Sequence, residues 1–221
     1  MLASCLLLND GDGHFETRSL PPMAQTAPAF GAVFLETGKS YPSLFVAQNF
    51  YSPQRETGRM NGAVGTLLEF QSTEGYTSVW PDQSGIVIPE DAKAAAAVDI
   101  NHDGWQDLVV TLNDGSPRCF AQSPPSSKSP YVLQLLGPRG NEDGIGAHVT
   151  AIYEDGALAM RVVGAGEGYL TQLPSRLYWS QRPSQVQICW PDGRRSTHPV
   201  SAHESHYQRL AHPMLNADVV D

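Results

Sequence analysis

Residues 97–110 read AVDINHDGWQDLVV, a polar loop between two apolar segments. Oxygen-bearing side chains stand at loop positions 1, 3, 5 and 9, and glycine stands at position 6. A loop that folds around an ion turns sharply at that glycine, and hard Ca²⁺ takes about six to eight oxygen ligands. The spacing therefore predicts a calcium site. Its expected ligands are the side chains of Asp99, Asn101, Asp103 and Asp107 and the backbone carbonyl of Trp105.

The predicted loop differs from an EF-hand. Its twelfth position is Val110, where an EF-hand has a bidentate Glu, and its flanking residues are typical of strands. We therefore expect a loop within a β-hairpin. The alternative interpretation is a turn rich in Asp and Asn that binds no ion.

Glycine and proline are frequent along the whole chain of 221 residues, with 20 Gly and 17 Pro. This density favours many short elements separated by turns, and we predict an all-β fold. A strand–turn–strand unit is expected over residues 6–15. Further strands are expected over 32–35, 44–47, 66–70, 97–100, 108–111, 131–136, 147–153, 157–163 and 186–190.

An internal repeat supports this interpretation. Asn49 follows the apolar segment 44–47 as Asn113 follows 108–111, an offset of 64 residues, and a second pair of segments recurs at an offset near 61. Periods of this length indicate propeller blades or a similar array. The earlier equivalent of the calcium loop, residues 36–43, holds one carboxylate and a lysine, so we expect no ion there.

The domain organisation follows from a Pro/Ser-rich linker. We predict partial propeller repeats over residues 1–121, the linker over 122–130, a β-rich domain over 131–200 and a tail over 201–221. The tail region is rich in histidine, and we interpret it as a solvated polar segment rather than a zinc site.

Composition limits the classes of partner. Lys and Arg together number 14 and Asp and Glu 23, a net charge of −9 that argues against nucleic-acid binding. No apolar run approaches the roughly 20 residues that cross a bilayer. Cys5, Cys119 and Cys189 are isolated in sequence and predict neither a zinc knuckle nor a disulfide framework, although Cys119 and Cys189 could pair if the fold brings them together.

Two stretches resemble known families. Residues 97–110 resemble an FG-GAP/VCBS repeat, the calcium-binding blade unit of integrin-like propellers. The C-terminal part resembles the ASPIC/UnbV domain at Gly137, 141–147 (NEDGIGA), 164–172 (GAGEGYLTQ) and 190–193 (WPDG). Repeats followed by this domain are the arrangement of the cartilage acidic protein family and its bacterial relatives. The resemblance implies a calcium-bound propeller, exported and used for adhesion or binding.

The chain departs from that family in two respects. A full propeller needs about seven blades and only about two are expected here, so we expect an N-terminally truncated piece. Residues 177–182 read LYWSQR where the C-terminal domain usually carries a His-Phe-Gly-Leu-Gly-like segment.

Three functional hypotheses follow. The first is a calcium-stabilised module that binds a protein or carbohydrate ligand outside the cell, in the periplasm or at the cell surface. The second is a glycan-active or other hydrolytic enzyme with its site between the two domains, although no catalytic motif is found. The third, compatible with the first, is self-association through open sheet edges.

Overall fold

The computed structural model describes residues 3–71, 75–123, 127–201 and 205–215. These residues form sixteen strands, a 3-10 turn at Pro22–Gln25 and one short helix, α1 (Pro81–Ser84). The predicted all-β fold is confirmed. In chain order the strands are β1 (Cys5–Asn9), β2 (Phe15–Ser19), β3 (Ala29–Leu35), β4 (Ser43–Gln48), β5 (Thr66–Gln71), β6 (Gly75–Val79), β7 (Ala92–Val98), β8 (Asp107–Leu112), β9 (Gly115–Phe120), β10 (Tyr131–Leu136), β11 (His148–Ile152), β12 (Leu158–Val162), β13 (Arg176–Trp179), β14 (Gln185–Cys189), β15 (Arg195–Pro199) and β16 (Tyr207–Ala211).

The strands form five sheets, of which three lie in the N-terminal half. These are the β1-β2 hairpin, the four-stranded sheet β3-β4-β5-β6 and the three-stranded sheet β7-β8-β9, and all their pairings are antiparallel. The C-terminal half contains the sheets β13-β10-β16 and β12-β11-β14-β15. No closed barrel or propeller is formed by these sheets in the described residues.

The internal repeat is visible in the backbone. β3 and β4 pair with a register shift between Ala29 and Ala32, and β7 and β8 pair with the same shift between Ala92 and Ala95. The two irregularities lie 63 residues apart, close to the repeat seen in the sequence. A bulge at the same place in both hairpins increases local twist and bends each hairpin in the same way.

Each half contains its own hydrophobic core. In the N-terminal half, side chains from both repeated hairpins meet, including Phe45, Ala95 and Val110. In the C-terminal half the two sheets bury a shared core that contains Trp179 and Trp190. β11 and β14 alternate buried and accessible residues, as expected for strands with one face against a core.

The expectation of a tail over residues 201–221 is wrong for part of that range. Residues Tyr207–Ala211 form β16, which pairs in parallel with β10, and the side chain of Leu210 enters the C-terminal core. His212 follows it and is buried. The largely polar composition of this segment does not indicate a strand. Its parallel pairing with β10 involves a distant part of the chain, which local sequence patterns do not reveal. Residues 202–204 and 216–221 of the expected tail lie outside the described residues.

Within the described ranges, no helix has the length and apolar character needed to cross a membrane. The boundaries predicted above for the propeller repeats, the linker and the β-rich domain remain predictions.

The two repeated hairpins cross closely at Gly31, which yields a test of the packing. A methyl group there would lie 2.8 Å from the carbonyl oxygen of Lys93 and 3.0 Å from the amide nitrogen of Ala95. We expect Gly31→Ala to lower the free energy of unfolding by about 1–3 kcal/mol, because backbone must shift to admit the methyl group. Urea denaturation measures this change.

Gly115→Ala provides the control. Gly115 also lies in a strand, but its added methyl group would meet Cβ and Cδ1 of Leu112 at 3.1 Å and no backbone atom at that distance. We expect a smaller loss of stability for this variant. Equal losses for the two variants would contradict the close backbone crossing.

Candidate functional site

The predicted calcium loop connects β7 to β8. β7 ends at Val98, so Asp99 is the first residue of the loop, and Asp107 is the first residue of β8. His102 and Gly104 adopt positive φ values of 61° and 89°, and these left-handed residues close the tight turn.

Backbone N–H groups hold both carboxylates that frame the loop. Asp99 accepts hydrogen bonds from the amides of Asp103 (3.1 Å) and Gly104 (3.0 Å). Asp107 accepts from the amides of Ile100 (3.0 Å) and Gln122 (2.9 Å). A carboxylate offers about four lone-pair sites, so each side chain retains acceptor capacity beyond these bonds.

The central side chains of the loop bond to one another. The amide of Asn101 donates to Asp103 (2.9 Å), and Asp103 in turn accepts from the backbone N–H of Trp105 (2.8 Å). The Trp105 side chain is buried. The structure thus brings the sequence-predicted residues into one compact turn closed by hydrogen bonds.

Negative charge in this turn is buried without a protein cation. Asp99 is 7% exposed and Asp107 is 1% exposed, and neither makes an ion pair in the described part of the chain. Among these residues no group of three or more His, Cys, Asp or Glu side chains is arranged to hold a metal. The donor chemistry fits a hard cation, and calcium binding stays a prediction.

The loop lies against the C-terminal half. A methyl group on Gly104 would come within 2.8 Å of the His206 ring and 2.9 Å of the Pro130 ring. The negative charge of Asp99 also acts on Tyr178, whose pKa is raised mainly by burial. The loop is therefore in a position to influence how the two halves pack.

The earlier repeat carries an ion pair at the corresponding place. Glu36 lies 63 residues before Asp99, follows β3 as Asp99 follows β7, and is buried. Its carboxylate accepts hydrogen bonds from the Arg161 guanidinium and from the backbone N–H of Ser180 at 3.2 Å. Both partners belong to the C-terminal half. In this repeat the Arg161 guanidinium therefore balances the negative charge of Glu36, the first residue of the loop.

Tyr153 lies within the electrostatic field of this ion pair. Burial, followed by the negative charge of Glu36, raises the pKa of Tyr153 to about 12. Arg161 acts in the opposite direction. The phenol is consequently neutral near physiological pH.

A cleft opens beside the ion pair, between the two halves, with a volume of about 640 Å³. Glu36 and Arg161 line it, together with β3 residues from Ala32 and the segment Gln172–Tyr178. Sequence patterns gave no signal for this site, because Glu36 and Arg161 are separated by 125 residues. Each is an ordinary polar residue in its own segment.

The cysteines, tryptophans and C-terminal histidines considered from the sequence do not come together in one site among the described residues. Cys5, Cys119 and Cys189 are free thiols, the first two exposed and the third partly buried. Trp80 is 56% exposed, whereas Trp105, Trp179 and Trp190 are buried. Of the C-terminal histidines, His212 is buried with its Nε2 atom 3.2 Å from a carboxylate oxygen of Asp192, and His203 lies outside the described residues.

Comparison with known proteins identifies part of the chain. Residues 137–208 match the family model described as ASPIC and UnbV. This match confirms the ASPIC/UnbV part of the resemblance. β12 and the cleft-lining segment before β13 lie within the matched residues, and β10 ends immediately before them. A search of curated proteins finds no match to the chain. The resemblance of residues 97–110 to an FG-GAP/VCBS repeat stays a prediction.

The pKa of Tyr153 provides a test of the ion pair. We expect Glu36→Gln to lower this pKa, because it removes the negative charge that disfavours tyrosinate and leaves Arg161 in place. Ultraviolet absorbance of tyrosinate during alkaline titration measures the change, and Tyr153→Phe assigns the signal.

Glu154→Gln is the matched control, since Glu154 is exposed and does not contribute to the shift. The folded-state pKa of Tyr153 lies above the ordinary value of 10.0, so its contribution to stability is present below pH about 10 and is lost as pH rises toward 12. An unchanged titration in Glu36→Gln would contradict the proximity of the two groups.

Proposed function

We propose that this protein is a calcium-stabilised, exported binding module. Asp99, Asn101, Asp103 and Asp107 would coordinate Ca²⁺ through side-chain oxygens, and Trp105 through its backbone carbonyl. The observation that supports this proposal is the burial of Asp99 and Asp107 without an ion-pair partner in the described residues.

The physical argument concerns the cost of buried charge. A buried carboxylate is costly unless its charge is both paired and hydrogen-bonded, or is coordinated to a metal. Backbone N–H groups satisfy part of the hydrogen-bonding capacity of Asp99 and Asp107 but add no net positive charge. A divalent cation would supply that charge and hold the loop against the C-terminal half.

The β-sheet organisation supports a repeat protein. The sheet β3-β4-β5-β6 is an antiparallel meander of the kind that forms one propeller blade, and β7-β8-β9 repeats its first hairpin with the same bulge. We propose that these sheets are FG-GAP/VCBS-type blades, as in the cartilage acidic protein family. Open edges such as that of β9 would then permit self-association.

The proposed location follows from calcium affinity. Extracellular calcium modules bind with dissociation constants of about 10⁻⁴–10⁻³ M, which suits the cell surface, the periplasm or the extracellular medium. The ASPIC/UnbV match supports a β-rich domain of extracellular type. The ligand would be a protein or a carbohydrate, and the acidic charge disfavours nucleic acid.

The cleft favours a second candidate, a hydrolytic enzyme with its site between the halves. Two carboxylates, Glu36 and Glu167, line the cleft. Glu36 is engaged by Arg161 and Ser180, however, and no tryptophan lines the cleft to stack on a sugar. Turnover in a screen of plant and marine polysaccharides would favour this candidate over the binding module.

The calcium assignment is tested by thermal unfolding in Ca²⁺ and in EDTA. A ligand present at ten times its dissociation constant stabilises the native state by about 1.4 kcal/mol, equivalent to a rise in Tm of roughly 3–6 °C. We expect such a rise for the natural sequence. Asp103→Ala should abolish it, because the variant removes a predicted ligand.

Asp155→Ala is the matched control. Asp155 accepts a hydrogen bond from the amide of Ala157 (2.9 Å), as Asp103 does from the amide of Trp105 (2.8 Å). Each variant removes the same type of side-chain-to-backbone hydrogen bond, but only Asp103→Ala should lose the rise in Tm caused by calcium. A full calcium response in Asp103→Ala, or none in the natural sequence, would contradict the assignment.

A further inference from the structure

The cleft between the two halves has the dimensions of a ligand site. Its volume of about 640 Å³ falls within the range of roughly 300–1,000 Å³ that small-molecule sites occupy. The N-terminal wall is β3 with the start of the following loop, and the C-terminal wall includes the end of β12 and the segment that leads into β13.

Two residues of β13 whose side chains carry hydrogen-bond donors line this cleft. Arg176 and Tyr178 stand two residues apart, on the same side of the strand, and both line the cleft. Tyr178 is 6% exposed, and its buried hydroxyl has no hydrogen-bond partner in the described part of the chain. The Arg176 guanidinium and the backbone of Asp99 both lie close to this hydroxyl.

Arg176 is the cation of the cleft that is available to a ligand. It forms no ion pair with any described residue, and its side chain packs over the Tyr207 ring at 5.4 Å. The other arginine, Arg161, is already bound to the Glu36 carboxylate and to the backbone carbonyl of Met160. Among the described residues the cleft thus contains one guanidinium without an ion pair, that of Arg176, and one carboxylate without an ion pair, that of Glu167.

The remaining walls are largely apolar. Val33 and Leu35 line the cleft from β3, and Val163 and Leu177 line it from the C-terminal half. An apolar group placed against these side chains would be removed from water.

We propose that the cleft binds a small carboxylic acid with an apolar body, whose carboxylate accepts hydrogen bonds from Arg176 and Tyr178. An arginine beside a hydroxyl donor suits a carboxylate, since a charge-assisted hydrogen bond to guanidinium is stronger than a neutral one. The inference names a ligand class for the binding role proposed above and rests on that role. Because the negative charge of Asp99 acts on Tyr178, calcium in the loop would strengthen carboxylate binding without being required for it.

Binding is tested by calorimetric titration of the full chain with octanoate, octanamide and galacturonate. These probes are an apolar acid, its neutral counterpart and a polar acid. We expect saturable binding of octanoate, and binding of octanamide and galacturonate that is at least tenfold weaker. Titrations in Ca²⁺ and in EDTA separate a failure of the calcium loop from a failure of the cleft.

Two variants locate the carboxylate. Arg176→Gln should weaken octanoate binding by roughly tenfold to a hundredfold, and Tyr178→Phe, which removes only the hydroxyl oxygen, should weaken it by several-fold. Circular dichroism verifies that both variants are folded.

Arg209→Gln is the control, because Arg209 packs against the same Tyr207 ring at 5.7 Å but does not line the cleft. It should bind octanoate as the natural sequence does. Absence of saturable octanoate binding, tighter binding of galacturonate, or equal losses in Arg176→Gln and Arg209→Gln would each overturn the proposal.

Discussion

Burial of carboxylates at the junction of the two halves is the constraint on which the rest of this structure depends. Asp99 is the first residue after β7 and Asp107 is the first residue of β8, and the turn between them lies against His206 and Pro130. Asp107 also accepts a hydrogen bond from the backbone amide of Gln122, which lies just beyond β9. A single buried charge therefore organises the hairpin and the start of the connection to the C-terminal half.

The two repeats balance this charge in different ways. In the first, Glu36 takes its counterion from the protein, since Arg161 reaches across from β12. In the second, the hydrogen bonds that the Asp99 carboxylate accepts from the described residues come from backbone N–H groups. Because both sites face the C-terminal half, we interpret them as two anchors of the same interface, one completed by a guanidinium and the other, in our proposal, by calcium.

Sequence patterns predicted the fold class and the apolar strands, because one-sided burial leaves a period of two that is readable locally. They missed β9, an exposed edge strand whose only partly buried residue is Phe120 and which contains Pro117, a residue that an edge strand tolerates. β16 was missed because its parallel partner, β10, lies about 75 residues earlier. The compact turn of the calcium loop followed from local spacing, whereas the Glu36–Arg161 pair and the cleft arise only when distant segments meet.

Sensitised terbium luminescence tests the central claim most directly, because Tb³⁺ replaces Ca²⁺ at oxygen sites and is excited by a neighbouring tryptophan. Trp105 is the tryptophan of the loop itself. Our account predicts strong emission on Trp excitation, its displacement by Ca²⁺, and its loss in Trp105→Phe with calcium stabilisation retained. Absence of sensitised emission, or emission that neither Ca²⁺ nor Trp105→Phe reduces, would contradict calcium binding at this loop.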